Sequence, residues 1–212
     1  MFGCLAAAAM ALCALVALGF FDLHDRSEAS GRIDAFGDAF TGTVFDGAFS
    51  GRGEMVYANG DRFAGEFQHG EYNGPGVFTS ANGWNYSGGF KNGLPDGNGV
   101  FTDQKGGVFT GVFVAGAITG QGAFKAQSGW VYDGMWDNGR QSGDGVFNYA
   151  DGSVYAGAFQ DGAASGAGAY SDAAGWRYEG GFFQGLFEGE GTLAFANGEV
   201  VEGAWIAGNV VK

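Results

Sequence analysis

Beyond residue 39, apolar and polar residues alternate along the chain, and glycine interrupts the alternation at regular intervals. In Trp84-Asn85-Tyr86-Ser87-Gly88-Gly89-Phe90, side chains 84, 86, 88 and 90 fall on one face of an extended strand and the others on the opposite face. The first face carries Trp, Tyr, Gly and Phe; the second carries Asn, Ser and Gly. The run Gly97-Asn98-Gly99-Val100-Phe101-Thr102 brings Gly97, Gly99 and Phe101 together in the same way. This pattern predicts paired strands whose aromatic rings lie over the bare backbone of glycines. Each buried ring contributes about 1.5–3 kcal/mol, which offsets the entropy lost when a glycine-rich backbone is ordered.

Turn signals fall between these runs. Asn59-Gly60, Asn82-Gly83, Asp151-Gly152 and Asn197-Gly198 close one end of the expected hairpins. Asp46-Gly47, Asn92-Gly93, Asn138-Gly139 and Asp161-Gly162 lie at the other end. Asn-Gly and Asp-Gly supply the positive φ that tight hairpins need. The expected fold class is all-β, an elongated twisted antiparallel meander of hairpins extending about 70 Å at about 4.8 Å per strand.

The meander is periodic. Phe40, Phe63, Tyr86, Phe109, Tyr132, Tyr155, Tyr178 and Val201 open successive units of 23 residues. Counting each as position 1, positions 3, 8, 12, 14 and 21 are glycine in every unit that reaches them. Five coincident glycine columns define an array, and arrays present surfaces. Residues 40–212 hold seven full units and a terminal half unit from Val201. Trp84, Trp130 and Trp176 recur at 46 residues, each two before a repeat tyrosine, while the intervening units have Gly107, Ser153 and Glu199 there. This second period marks a two-unit block and a spaced row of tryptophans, read either as filling of the aromatic face or as a ladder of ligand contacts.

Two segments precede the array. Residues 2–21 carry no charge and, at about 1.5 Å per residue, form a hydrophobic helix long enough for a bilayer core of about 30 Å. The stretch is longer than the usual apolar region of a signal peptide, so an uncleaved signal-anchor is expected; cleavage after Ala17-Leu18-Gly19 is the alternative. The corresponding localisations are a membrane with a single N-terminal anchor, or a secreted or periplasmic space. Residues 22–39 read as a polar tether merging into a degenerate cap, with Gly37 lying 23 residues before Gly60.

Composition narrows the chemistry. The net charge of -13 repels nucleic acid and anionic headgroups, so no nucleic-acid partner is expected. Both cysteines, Cys4 and Cys13, lie in the apolar head, which leaves the array without disulfides or a thiolate metal site. His24 and His69 lack companions at ligand spacing. Asp133, Glu179 and Glu202 recur at position 2, facing away from the rings as solvated charges. Acidic loops such as Glu188-Gly189-Glu190 have calcium-type ligands but no repeated ligand column. The expectation is a non-enzyme with no catalytic, cofactor-binding or metal residues and no cofactor.

The block YDGMWDNGRQSGDGVFNYADGSVYAGAF, Tyr132 to Phe159, resembles MORN repeats (membrane occupation and recognition nexus). The family pattern is Tyr-x-Gly-x-aromatic, Asn-Gly, Gly-x-Gly, then Asp-Gly-x-x-Tyr, and it extends over residues 40–212. One departure is consistent: position 11, often histidine in the family, is Ser50, Asn73, Asp96, Thr119, Ser142, Ser165 and Glu188. Basic residues of the family are also sparse, which counts against a lipid-binding role. The resemblance implies a single-layer β-sheet used as an interaction or membrane-proximal scaffold. The leading expectation is therefore a membrane-tethered scaffold that recruits a protein partner, basic to match the acidic array. The alternative is a secreted or surface module for carbohydrate or lipid. The expected interaction face comprises Trp84, Tyr86, Phe90, Trp130, Tyr132, Trp136, Trp176, Tyr178 and Phe182. A homodimer edge is expected at Val201, Trp205 and Val210, along the last strand.

Overall fold

The computed structural model describes residues 27–33, 37–45 and 48–211. The hydrophobic helix expected over residues 1–21, and with it the membrane contact of residues 2–21, lies outside them. Among the described residues the regular elements are all β-strands. None of these residues forms a helix long and apolar enough to cross a membrane.

The chain divides at Ala117 into two compact units. The first contains β1 (Ser27–Ile33), β2 (Ala39–Phe45), β3 (Ala48–Val56), β4 (Arg62–Gln68), β5 (Glu71–Thr79), β6 (Asn85–Lys91), β7 (Leu94–Thr102) and β8 (Val108–Val114). The second is built from β9 (Ala117–Lys125), β10 (Val131–Asp137), β11 (Arg140–Asn148), β12 (Val154–Gln160), β13 (Ala163–Ser171), β14 (Arg177–Phe183), β15 (Leu186–Ala194), β16 (Val200–Ile206) and β17 (Asn209–Val211). Within each unit every strand pairs antiparallel with the next, as a meander. The segment read as a tether thus contributes β1, paired with β2.

Two kinds of turn alternate. At one end, two-residue turns put His69, Asn92, Ala115, Asn138, Asp161, Gln184 and Ala207 at φ between 47° and 52°, each followed by a glycine that also has positive φ. This left-handed pair matches the twist of the strands it joins. A non-glycine residue there costs about 1–2 kcal/mol, and the array supplies a compensating bond. Each turn glycine donates its N–H to a carbonyl 21 residues earlier, Gly70 to Phe49 at 2.9 Å and Gly208 to Phe187 at 2.9 Å among them. At the opposite end the turns have five residues: Tyr57 N–H donates to Asp61 O at 2.9 Å, and Gly60 N–H to Tyr57 O at 2.8 Å. Here only the glycine has positive φ, Gly60 at 91°, so Asn59, Asn82, Asp151 and Asn197 do not take the left-handed role expected of them. Asn59 and Asp151 instead accept backbone N–H groups through their side chains, from Asp61 and Ser153 respectively.

The glycine columns separate into two functions. The Tyr132 ring lies over Gly134 and Gly145: a Cβ on either would sit 2.5 Å from its hydroxyl oxygen. Phe40 covers Gly53 in the same manner, at 2.8 Å. Position 12 behaves differently, which corrects the placement of Gly97 under the rings. A Cβ on Gly97 would meet nothing within 4 Å, and its φ is 90°. The reason is a bulge. Gly88 pairs with Gly99, and the next pair is Phe90 with Pro95, so one residue of β6 opposes three of β7. Gly97 carries the backbone through that irregularity, while position 14 keeps space for the ring.

Candidate interaction surface

Positions 1 and 5 form the main aromatic row. Tyr86 meets Phe90 edge-on at 5.1 Å and Phe113, in the following repeat, at 4.8 Å. Tyr155 repeats the arrangement with Phe159 at 5.1 Å and Phe182 at 4.8 Å. Edge-to-face pairs at these distances are favourable beyond the area they bury. Where position 10 is aromatic its ring stacks face-on upon position 1: Phe49 on Phe40 at 3.6 Å, Tyr72 on Phe63 at 3.5 Å, Phe187 on Tyr178 at 3.7 Å. In β11 and β13 this position is Gln141 and Ala164, and no ring caps Tyr132 or Tyr155 from there.

Hydroxyl and indole groups close the backbone bonds that the bulges open. Tyr86, Tyr132, Tyr155 and Tyr178 donate to the carbonyls of Gly89, Met135, Ala158 and Gly181 at 2.8–3.1 Å, each three residues on. Trp136 Nε1–H donates to Gly122 O at 2.9 Å, and Trp205 Nε1–H to Gly191 O at 3.2 Å. Burial pushes the hydroxyls of Tyr86, Tyr132 and Tyr155 up to about 12. In the first unit the Tyr57 and Tyr72 hydroxyls bond to each other; burial raises both, Tyr57 to about 12.

The rings expected to form a contact face are therefore mostly core. Trp84, Tyr86, Phe90, Tyr132, Trp136, Tyr178 and Phe182 are buried, and only Trp130 and Trp176 are half-buried. At the expected dimer edge Trp205 is buried and Val201 and Val210 are half-buried. The strand after β16 is β17, which pairs with it from Ala204 to Ile206 and occupies that stretch of the expected edge.

Accessible aromatic rings lie elsewhere: Phe45 and Phe183 at the ends of β2 and β14, and a run of rings along the five-residue turns of the second unit. Each of these turns offers one large ring, from its last residue in Trp130 and Trp176 and from its first in Tyr149 and Phe195. Tyr149 is 41 % exposed and Phe195 39 %. The rings of Trp130, Phe147, Tyr149, Tyr170 and Trp176 follow one another at 5.1, 4.5, 6.0 and 5.0 Å. The corresponding first-unit residues Phe78, Trp84 and Phe101 are buried. Tyr149 and Phe195 escaped the sequence reading because they stand four residues before the tryptophan column. The alternation of Trp130, Tyr149, Trp176 and Phe195 between the two ends of successive turns was the signal.

Charge follows the same surface. Asp151, Asp172 and Glu199 sit in three of these turns, and none of the four contains Lys or Arg. Asp151 is held below the usual carboxylate range by the Ser153 amide, and Asp172 accepts the Ala174 N–H at 2.5 Å. The position 11 side chains are a further set of acceptors: Asp96, Ser165 and Glu188 take the N–H groups of Ala115, Gln184 and Ala207 at 3.2, 3.1 and 3.0 Å. They tie one repeat to the turn of the next. Among the described residues no group of three or more His, Cys, Asp or Glu side chains is placed to hold a metal ion.

A repeated hairpin with one ring over two glycines, closed by a hydroxyl or indole bond, defines a β-repeat array. The chain belongs to the MORN repeat family, whose model matches residues 40–62, 63–84, 86–108, 132–154 and 178–200, more than half its length. The repeat from Tyr155 lies outside the matched segments yet forms the same hairpin, β12 with β13, and the same hydroxyl bond. No curated protein sequence matches the chain. Among solved structures it is similar to the TCP domain of Drosophila melanogaster SAS-4 (dCPAP), in complex with a proline rich motif of Ana2. The identity is 10 %, the TM-score 0.44, and the match covers 84 % of this chain and 88 % of that one. It is also similar to the TCP10 domain of Danio rerio CPAP, in complex with a STIL peptide, at 13 % identity and TM-score 0.37, over 85 % and 100 % of the two chains.

Proposed function

We propose that the protein is a non-enzymatic scaffold, tethered to a membrane through residues 2–21, that recruits a basic protein partner along its repeat array. The observation that carries this reading is the division of labour within the repeat. The buried rings, hydroxyls and indoles are spent on holding adjacent hairpins together, while the remaining ring edges and carboxylates face outward at regular intervals. An acidic array of this kind steers cationic partners toward it over about a Debye length, roughly 8 Å at physiological salt. The neighbouring rings of this partly exposed run are mutually tilted, Phe147 to Tyr149 by 44° and Tyr149 to Tyr170 by 68°, unlike the coplanar platforms that a sugar chain stacks on.

The test is carbonate extraction and chemical cross-linking of the full chain in the membranes of an expressing host. The expected result is a full-length mass in the carbonate-resistant pellet, with protein cross-links concentrated on the array. A shortened chain in the soluble fraction would remove the tether, and cross-links absent at every salt concentration would remove the scaffold.

A further inference from the structure

We infer that the five-residue turns of the second unit form a track for an extended cationic peptide in the polyproline II conformation, an occupant that rests on the scaffold reading above. The turns lie side by side. A Cβ on Gly129 would be 3.7 Å from Ala150 Cβ, one on Gly152 3.8 Å from Ala173 Cβ, and one on Gly175 3.4 Å from Ala196 Cβ. Two strands separate one such turn from the next, a step of about 9.6 Å at the usual inter-strand spacing. Each step presents one ring: Trp130, Tyr149, Trp176, then Phe195.

A polyproline II helix advances about 3.1 Å per residue with three residues per turn, about 9.3 Å for every third side chain. Its period therefore matches the step from one turn to the next to within a few per cent. A fully extended β-strand advances about 10 Å in three residues but turns alternate side chains to opposite faces, so it cannot repeat the same contact every third residue. Aromatic surfaces that meet this preformed helix bind it with little ordering cost.

Charge fixes the sign of the occupant. Three of the four turns carry a carboxylate, Asp151, Asp172 and Glu199, and residues 118–212 hold eleven acidic against four basic side chains. Tyr149 lies close enough to Asp151 to feel its charge, so a ring face and a carboxylate are offered together. Lysine or arginine at every third position can lie against a ring and reach a carboxylate in the same turn.

The probe is a synthetic peptide (Pro-Pro-Arg)4, titrated into the full chain and followed by tryptophan fluorescence, in which half-buried Trp130 and Trp176 report. Saturable binding that weakens with salt is expected, together with weaker binding of flexible (Gly-Gly-Arg)4 and none of (Pro-Pro-Glu)4. The substitutions D151N and D172N keep the turn acceptors but remove charge; together they should weaken binding by roughly three- to tenfold. E190Q, on the opposite face of β15, should leave it unchanged. Equal binding of the proline and glycine peptides overturns the polyproline II geometry, and indifference to D151N and D172N overturns the track. Should (Pro-Pro-Arg)4 fail while cross-linking still finds a protein partner, the inference falls and the scaffold stands. A fluorescence response to a neutral hexasaccharide alone, without cross-links, removes both.

Discussion

The hydroxyl oxygen of Tyr132 lies 2.5 Å from the place a Cβ on Gly145 would occupy, so ring and glycine on neighbouring strands share one volume. Gly145 pairs with Gly134 on β10, whose own Cβ would meet the same oxygen at 2.5 Å. Replacing Gly145 with alanine forces the ring out of a closely packed site, at a cost of about 1–3 kcal/mol. G145A should lower the midpoint of chemical denaturation accordingly. The double variant G145A/Y132A, which has room for the methyl group, should show a clearly non-additive loss. Strict additivity would mean that the two residues do not compete for that space.

The hydroxyls buried in this row make stability sensitive to alkali. Tyr57, Tyr86, Tyr132 and Tyr155 are pushed from 10.0 up to about 12, with burial the largest cause. Above pH 10 the unfolded chain loses these protons while the folded chain retains them, so ∂ΔG/∂pH is negative in that window. Their contribution is whole below pH 10 and is lost as pH rises through about 12. Tyrosinate absorbance and circular dichroism recorded together should change in one cooperative step well above pH 10. Smooth ionisation of all the tyrosines near pH 10, with the fold intact, would contradict this.

Position 11 links successive repeats through a side-chain acceptor. Glu188 takes the Ala207 N–H at 3.0 Å, and Asp96 takes that of Ala115 at 3.2 Å. Both N–H groups belong to residues with positive φ, at 47°. E188A should speed amide hydrogen exchange at Ala207 and cost about 0.5–1.5 kcal/mol, whereas E188Q keeps an acceptor oxygen and should lie near wild type. An unchanged Ala207 exchange rate in E188A would assign that N–H to water.

Much of the repeat was legible because its reasons are local. The ring at position 1 and the glycines at positions 3 and 14 occupy one strand face, so alternation alone brings them together. Gly97 was misplaced under the rings because alternation assumes an unbroken register, and the bulge opposite Gly89 breaks it. The contact face was harder to read for a different reason. Aromatic residues announce burial and recognition equally well, and the stacking of Phe187 on Tyr178 that decides between them depends on a strand partner. Tyr149 stands at the first residue of its turn, four before the tryptophan column, so the 46-residue period does not point to it. Position 11 departs from the family pattern in the sequence alone, but its role depends on the neighbouring turn: an acceptor such as Ser165 serves an N–H 19 residues away.

Position 5 gives a test in which the fold supplies its own control. Trp136 occupies the site held by Phe67, Phe90, Phe113, Phe159 and Phe182 in other repeats, and all six are buried. W136F is therefore a shape that the array already accommodates. What it removes is the bond from Nε1–H to the Gly122 carbonyl and part of the ring volume. The phenylalanine repeats manage without an indole donor, so the loss should be about 1 kcal/mol, near the net worth of one hydrogen bond, rather than the 3–5 kcal/mol of a truncation to alanine. Fluorescence supplies a second readout. Removing a buried indole leaves half-buried Trp130 and Trp176 with a larger share of the emission, so the spectrum of folded W136F should shift to the red. A blue shift would place Trp136 among the solvent-facing rings and return it to the contact surface.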